Sequence, residues 1–380
     1  MKPWKLVSIL SVTLLGCKDP TSDNGGNPPP LGNVLAISAG GAHTCALRLD
    51  GKAFCWGRNS SGELGDGTLE DRLNPVAVTG GLSFESISSG DTHTCGVTHS
   101  GEGYCWGDNV QGQVGGNASA DIGLPPTLVA PGMSWAMISA GQDHSCGVTT
   151  GGDAYCWGTG YLGDNNTTRR AFPIKVPGGP WTEVSAATNY TCGLQAAGGA
   201  YCWGTNAGGL LGNGTTSGQS FSPMAVVGNH DFATLDAGVN HACGATTIGQ
   251  IFCWGTNANA QLGTGATGSP TGTPVQAGIT ENLTVVASGE DFTCGAADQG
   301  TFCWGRNDVG QLGVNGTGVQ ATPVRVDAST ITVSAFRVHA CGISANLDAY
   351  CWGNNAFGQV GNGRTGAAVN LPSKLTLPTQ

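Results

Sequence analysis

Charge is scarce in this chain. Asp, Glu, Lys and Arg make up only 11% of its 380 residues, and the balance is acidic, with 15 basic against 25 acidic side chains. No basic run is present beyond one adjacent pair of arginines, so a surface built to grip phosphate backbones is not expected. Helix signals are nearly absent as well: no long apolar stripe recurs every 3.6 residues between recognisable caps. After the N-terminus no stretch approaches eighteen consecutive apolar residues, so no spanning helix is expected there. What the chain has instead is glycine, 65 residues, and cysteine, 15 residues. Disordered chains are usually charge-rich and poor in aromatics. Abundant glycine with little charge suits many short strands joined by tight turns. At this length the chain either holds two domains or escapes the limit on a single core by repetition.

The cysteines decide in favour of repetition. Fourteen of them fall into seven pairs: Cys45/Cys55, Cys95/Cys105, Cys146/Cys156, Cys192/Cys202, Cys243/Cys253, Cys294/Cys303 and Cys341/Cys351. The second member of each pair is followed by Trp-Gly. First members recur at intervals of 50, 51, 46, 51, 51 and 47 residues. A period near fifty with several short strands per unit is the signature of a β-propeller. One unit reads as four strands: an extended segment from Pro75 to Val78, then Phe84 to Ser89, His93 to Thr98 and Gly103 to Trp106.

Spacing within a pair sets the hairpin register. Side chains alternate faces along a strand, so a one-residue slip would part the two sulfurs. With Leu49-Asp50-Gly51 as a three-residue loop, Gly51 supplying the left-handed position, Cys45 lies opposite Cys55. Gly101, Gly152, Gly198 and Gly249 occupy the same place. Repeat six is one residue shorter and suits a two-residue turn at Asp298-Gln299. Repeat seven has Leu347 where glycine is expected, so a different turn is predicted there. Disulfides are the expected role of these cysteines, because zinc sites favour two to four intervening residues.

Alternation also sets Phe54 and Trp56 on the face opposite Cys55, and the pattern recurs through Tyr350 and Trp352. Both faces therefore call for burial, and the aromatics of one blade are expected to face the disulfide side of the next. Extended segments begin at Pro75, Pro126, Pro173, Pro223, Pro274, Pro323 and Pro372. If each belongs to the blade that follows it, Pro372 to Leu377 must return to the first blade. The expected fold is thus all-β: a seven-bladed propeller of four-stranded antiparallel blades over residues 34–380, one hairpin disulfide per blade, its ring closed by the C-terminal strand.

The fifteenth cysteine, Cys17, has no partner in a repeat. It follows a positively charged start, with Lys2 and Lys5, and an apolar core from Leu6 to Gly16, which together read as a secretion signal over residues 1–16. Leu14-Leu15-Gly16-Cys17 resembles the bacterial lipobox. That resemblance implies cleavage before Cys17 and attachment of a diacylglyceryl group to its sulfur. Lys18 in the following position favours the outer membrane over the inner one. Residues 17–33 hold the lipidated cysteine and a Pro-, Gly- and Asn-rich tether. Without the first sixteen residues the balance is thirteen basic against twenty-five acidic side chains. The expected location is the bacterial cell envelope, with the chain held as an outer-membrane lipoprotein.

The segment GGAHTCALRLDGKAFCWGRNSSGELG, residues 40–65, resembles the regulator of chromosome condensation repeat, and the likeness runs through all seven units. It implies a seven-bladed propeller. Gly40, Gly90, Gly141, Gly238 and Gly289 keep the glycine before the His strand, whereas Ala187 and Phe336 do not. His43, His93, His144, His241 and His339 keep the histidine two before the cysteine, and Tyr190 and Phe292 replace it. Because those exchanges would break a metal ring, the histidines read as packed, hydrogen-bonded residues. The eukaryotic namesake is a guanine-nucleotide exchange factor that binds chromatin, roles that suit an acidic, exported chain poorly. Exported bacterial relatives of this architecture include secreted inhibitors of β-lactamases.

Catalytic signatures are missing: there is no His-Glu-x-x-His and no Gly-Lys-Ser/Thr phosphate loop. Gly263, Gly265 and Gly268 match Gly-x-Gly-x-x-Gly but precede Ser269-Pro270, so they read as a turn. Loops such as Gly361-Asn362-Gly363 have too few carboxylates for calcium. No cofactor, metal or nucleic acid is expected. Arg169 and Arg170, in the short loop of repeat three, are the candidate partner surface. The leading expectation is a non-enzymatic, lipid-anchored binding module for a protein or envelope ligand. The alternatives are an inhibitor or regulator of an envelope enzyme, and a polysaccharide-active enzyme, which needs an acid–base pair at the channel mouth.

Overall fold

The hairpin demanded by the cysteine spacing is present in every repeat of the computed structural model, which describes residues 33–116, 122–326 and 328–378. The expected signal segment, Cys17 and most of the tether lie outside these residues. In the first repeat β1 (Val34–Ala39), β2 (His43–Arg48), β3 (Ala53–Gly57) and β4 (Arg72–Ala77) form one antiparallel sheet in that order. Cys45 pairs across from Cys55, and the two are bonded. The same unit recurs to give seven four-stranded sheets among the described residues. Each has its own hairpin disulfide between directly opposed partners. Cys95 is bonded to Cys105, Cys146 to Cys156 and Cys192 to Cys202. Cys243 is bonded to Cys253, Cys294 to Cys303 and Cys341 to Cys351. Innermost strands β1, β5 (Phe84–Ser89), β9 (Trp135–Ala140), β13 (Trp181–Ala186), β17 (Phe232–Ala237), β21 (Val285–Ser288) and β25 (Thr330–Phe336) contact one another in sequence, and β25 returns to β1. The fold is a seven-bladed propeller.

Two details differ from the sequence reading. Each outer strand belongs to the blade that precedes it. β4 pairs with β3 through Phe54 and Ala77, and β28 (Val369–Lys374) pairs with β27 (Ala349–Gly353) through Tyr350 and Lys374. The C-terminal strand therefore does not cross to the first blade. The prolines that mark these segments fall on the outer edge, where a missing N–H breaks no ladder. Closure is made by side chains instead. Leu375 and Leu377, just beyond β28, pack with Val34, Phe54 and Trp56 of blade one and with the Cys341/Cys351 disulfide of blade seven. The guanidinium of Arg48 also donates to the Pro378 carbonyl at 2.9 Å.

The second difference is the turn of repeat seven. Leu347 adopts φ +61°, beside +77° for Gly51, and its N–H bonds the Ser344 carbonyl as that of Gly51 bonds Arg48. The turn is the same, with a leucine forced into the left-handed region at a cost of roughly 1–2 kcal/mol. Leu347→Gly should stabilise the protein by about 1 kcal/mol, because the relieved strain outweighs the extra freedom of glycine in the unfolded chain. A urea midpoint that stays put or falls would contradict this.

Aromatics face disulfides between blades, as alternation requires, and the disulfide belongs to the preceding blade. Trp106 and Phe84 of blade two pack with Cys45 and Cys55 of blade one, and Trp157 and Trp135 of blade three with Cys95 and Cys105 of blade two. Further round, Trp181 and Trp203 of blade four cover Cys146 and Cys156. Phe232 and Trp254 of blade five cover Cys192 and Cys202, and Trp304 of blade six covers Cys243 and Cys253. Directional bonds fix the same boundaries. The loop after each Trp-Gly, when full length, presents a carbonyl to the next blade. The Glu63 carbonyl accepts from Trp106 Nε1 and from Thr94 Oγ1, each at 2.9 Å. Gln113 serves Trp157 and Ser145 in the same way, and Gln359 closes the ring with Trp56 and Thr44. Repeat three has a shorter loop, and Trp203 Nε1 is left buried without a partner among the described residues.

The histidines complete these chains. His43 Nε2 bonds Thr94 Oγ1 at 2.9 Å, His93 bonds Ser145 at 2.8 Å, His144 bonds Thr191 at 2.8 Å and His241 bonds Thr293 at 2.6 Å. His339 reaches Thr44 at 2.9 Å across the ring closure. Since Thr44, Thr94, Ser145 and Thr293 spend their hydroxyl hydrogens on loop carbonyls, the imidazole Nε2–H must be the donor to each. Nδ1 of His43, His93 and His339 is then an acceptor with no partner among the described residues. Tyr190, in the histidine position of blade four, donates instead to the His241 carbonyl at 2.8 Å. The reading of these residues as packed and hydrogen-bonded holds.

Candidate functional site: the central channel and its mouth

The inner strands enclose a cavity of about 520 Å³. Its wall includes residues of β1, β5, β9, β13, β17 and β25, among them Ile37, Ile87, Ile138, Val184, Leu235 and Val333. These come from the fourth position of each inner strand. The fifth position carries a polar belt. Ser38, Ser88, Ser139, Ser185 and Ser334 each accept a hydrogen bond from a backbone N–H of the next blade at 2.8–3.1 Å. In blade five the same position is Asp236, whose Oδ2 accepts from Ser288 N at 2.6 Å and whose Oδ1 accepts from the Ser185 hydroxyl at 3.1 Å. In blade six it is Ala287.

A second acid lies next to Asp236. Glu183, at the third position of β13, accepts from Thr234 Oγ1 at 3.0 Å through Oε1, while its Oε2 is buried without a partner. Burial pushes the Glu183 carboxyl up to about 8, with the neighbouring Asp236 charge adding to the shift. Burial also raises Asp236, to about 6, against the opposing pull of the Ser288 N–H and the Ser185 hydroxyl. Glu85 is a third acid on the wall, and no Lys, Arg or His lines the cavity among the described residues. Neither Glu183, Asp236 nor Glu85 is in an ion pair among the described residues.

The turns between the first and second strands of each blade frame one mouth. They are tied circumferentially: Gly41 N–H bonds the Gly90 carbonyl, Asp91 bonds Gly141, Gln142 bonds Ala187 and Glu290 bonds Arg337, all within 3.0 Å. Arg337 stands in the turn of blade seven at φ +41°. Its guanidinium reaches Asp91 of blade two at 2.5 and 2.6 Å, and Gln142 of blade three at 3.4 Å. The span passes over Gly41 of blade one, where a Cβ would stand 2.2 Å from Asp91 Oδ1. The Asp91 hydrogen bond and charge, with the charges of Glu290 and Asp143, raise the Arg337 pKa against the effect of burial. An arginine strut thus braces the mouth from blade seven to blades two and three.

The structure separates the two arginines proposed from sequence. Arg170, at the start of β12 (Arg170–Lys175), pairs with Asp164 at 2.9 Å. Arg72 pairs with Asp66 at the matching place in blade one, also at 2.9 Å, so this contact is part of the repeat. Arg169 is exposed, lies beside Gly112 of blade two, and is not part of the cavity wall. The fourteen repeat cysteines stand apart from the channel too. All are consumed in disulfides at the blade boundaries, Cys156, Cys202 and Cys253 among them, so none offers a free thiol for chemistry or metal binding. Sequence reasoning missed Glu183, Asp236 and Arg337. One signal could have found Asp236: in an alignment of the seven inner strands it is the only acid at a position that is serine in five others. Among the described residues no three His, Cys, Asp or Glu side chains converge as for a metal ion. No helix among them is long and apolar enough to cross a membrane.

Comparison with known proteins agrees with this architecture. Two profiles, both describing the Regulator of chromosome condensation (RCC1) repeat, match the chain. One covers residues 34–63, 84–113, 138–164 and 232–261, the other residues 50–97, 249–296 and 298–344, together more than half of the sequence. The Ultraviolet-B receptor UVR8 of Arabidopsis thaliana is 29% identical over 239 residues, 61% of this chain but only 43% of the receptor. Among solved structures, Prp20p of Saccharomyces cerevisiae, described with binding properties to Gsp1p and histones, superposes with a TM-score of 0.77 at 20% identity, covering 85% of both chains. Human WBSCR16 superposes with a TM-score of 0.73 at 21% identity, over 80% of this chain and 85% of that one. At such identities these structures speak for the fold alone. Seven blades of matching topology, with repeats recognised along most of the ring, place the chain in the Regulator of chromosome condensation (RCC1) repeat family.

Proposed function

We propose that the protein is an exported, lipid-anchored binding module of the bacterial cell envelope that takes its ligand at the central channel and its mouths. One observation carries the binding role. The side chains that recur in every repeat are spent on blade boundaries, while the channel wall bears carboxyls that no cation among the described residues meets. Binding to proteins is also the theme among relatives, since the yeast RCC1 protein Prp20 is described in complex with Kap60. The anchor is supported by the sequence around Cys17 and by the seven disulfides, which suit an oxidising compartment and occupy every other cysteine. One acyl chain gives only marginal binding, whereas two or three hold a protein firmly.

Fractionation of cells tests the anchor: the native chain should sediment with membranes and Cys17→Ser should not. An unacylated N-terminus by mass spectrometry would remove that part of the reading. Cross-linking in the native cells, followed by identification of captured proteins, tests the partner. Arg169, exposed and outside the repeat contacts, is the member of the arginine pair retained for that surface. A polysaccharide-active enzyme is the second reading. The observation that favours it is the pairing of Glu183 and Asp236 in one cavity with different proton affinities, the arrangement an acid–base pair needs.

A further inference from the structure

The channel wall has an uneven charge distribution, and that unevenness has a direction. Five of seven inner strands place a serine in the polar belt, one an alanine, and only β17 an acid. The strand before it, β13, adds Glu183, so the buried Glu183 and the half-buried Asp236 fall on adjacent blades four and five. The side chains at the same two positions on β9 are Met137 and Ser139, and on β25 Thr332 and Ser334. Buried carboxylates are usually paired with a cation or a metal. Here no Lys, Arg or His among the described residues meets the pair, and Glu183 Oε2, in a side chain only 8% exposed, has no hydrogen-bond partner among them. The rest of the wall mixes apolar side chains, Ile37, Ile87 and Val333 on the far blades among them, with serines, threonines and Glu85. A low-dielectric wall with fixed carboxyls and no compensating charge focuses attraction on a small cation.

We propose that blades four and five form a subsite for a primary ammonium group carried on a short aliphatic stem. The ammonium sits between Glu183 and Asp236, and the stem lies along the apolar side chains of the wall. An ammonium offers three donors. Glu183 Oε2, which has no partner among the described residues, and the remaining lone pairs of the Asp236 carboxylate, which accepts from Ser288 N–H and the Ser185 hydroxyl, are the acceptors offered to them. A metal ion fits less well, since only two carboxylates converge and no third ligand of that kind is present among the described residues. The same ammonium chemistry is found on a free alkylamine and on a lysine side chain of a docked protein. The subsite rests on reading the channel as the binding locus, and it can fail while capture of an envelope partner succeeds.

The test uses the full folded chain and calorimetry at pH 8.5, where Glu183 is largely ionised. Hexylammonium should bind at least tenfold more tightly than hexanol, which has the same stem without the charge. Glu183→Gln and Asp236→Asn should each weaken hexylammonium at least tenfold while leaving hexanol unchanged. Acetyl-lysine N-methylamide, tried in parallel, separates the sources: binding points to a lysine side chain, and its exclusion while hexylammonium binds points to a free amine. The idea is overturned if hexanol competes equally, or if hexylammonium binds both variants as tightly as the parent. The hexanol comparison on the unaltered chain stands even where a variant folds poorly.

Discussion

Reduction of the seven disulfides is expected to unfold the protein at room temperature. Each bond closes a loop of about ten residues, which in the chain-entropy account contributes about 2–3 kcal/mol. All seven together contribute on the order of 15 kcal/mol, as large as the whole net stability of an ordinary domain, 5–15 kcal/mol. Because each bond lies inside one hairpin and none ties one blade to another, the effects should add nearly independently. The sulfurs are also packing atoms: Cys45 and Cys55 lie under Trp106, and Cys341 and Cys351 under Trp56. Circular dichroism and near-ultraviolet spectra with and without a strong reductant check this. Retention of the tryptophan near-ultraviolet signal after complete reduction would show that the blades hold without their cross-links.

Acidification is the second large effect. Burial lowers His43, His93 and His241 to about 3, and His144 and His339 to about 4, from an ordinary 6.5; like charge from His339, His93 and Arg58 adds to the shift at His43. The geometry of His43, His93 and His339 agrees with the direction, since Nε2 is already committed to a hydroxyl and Nδ1 has no partner among the described residues; at His241 a backbone hydrogen bond to Glu290 opposes the burial effect. Below pH 6.5 the unfolded chain takes up protons that the folded chain refuses. The stability held by neutral histidines is therefore complete above 6.5 and is lost as pH falls toward 3–4. Three carboxyls, two buried and one half-buried, act the other way. Glu63, raised to about 7, Glu183, to about 8, and Asp236, to about 6, bind protons more readily when folded. Their contribution is complete at low pH and is lost as pH rises through those values. Near pH 5 the unfolded chain holds about two to three more protons on balance, so stability should fall by about 3 kcal/mol per pH unit there. The optimum should lie near neutrality, with a loss of about 3–4 kcal/mol between pH 7 and pH 5. Urea midpoints at pH 5, 6, 7 and 8 measure it, and a flat profile below pH 6.5 would mean that the imidazoles are not buried as described.

The hairpins are legible in the sequence because strand parity is unforgiving. Cys45 opposite Cys55 with Trp56 on the other face follows from a three-residue loop, and the same parity sets Cys156, Cys202 and Cys253 against their partners. The two-residue turn at Asp298-Gln299 brings Cys294 opposite Cys303 as the shorter spacing requires. The outer strands are legible as strands but not as members of a particular blade. An edge strand has one hydrogen-bonding neighbour, and its choice depends on whether the long loop behind it or the short link ahead folds back. The leucine turn escapes a sequence reading because glycine usually signals this conformation, whereas here the hairpin disulfide and the ladder impose it on Leu347. Glu183, Asp236 and Arg337 escape a reading of one repeat at a time for a different reason. They matter through their deviation from six sister positions, and a single period says nothing about which face of an inner strand looks onto the axis.

The short loop of repeat three also has a mechanical consequence. At the other six boundaries a carbonyl grips the incoming indole, but Trp203 enters ungripped. A hoop under outward load parts at its least bolted joint. Here that joint lies between the third and fourth blades, nearly half a turn from where the first and last blades meet. Opening of the hoop is thus expected on the side away from the boundary where Gln359 grips Trp56.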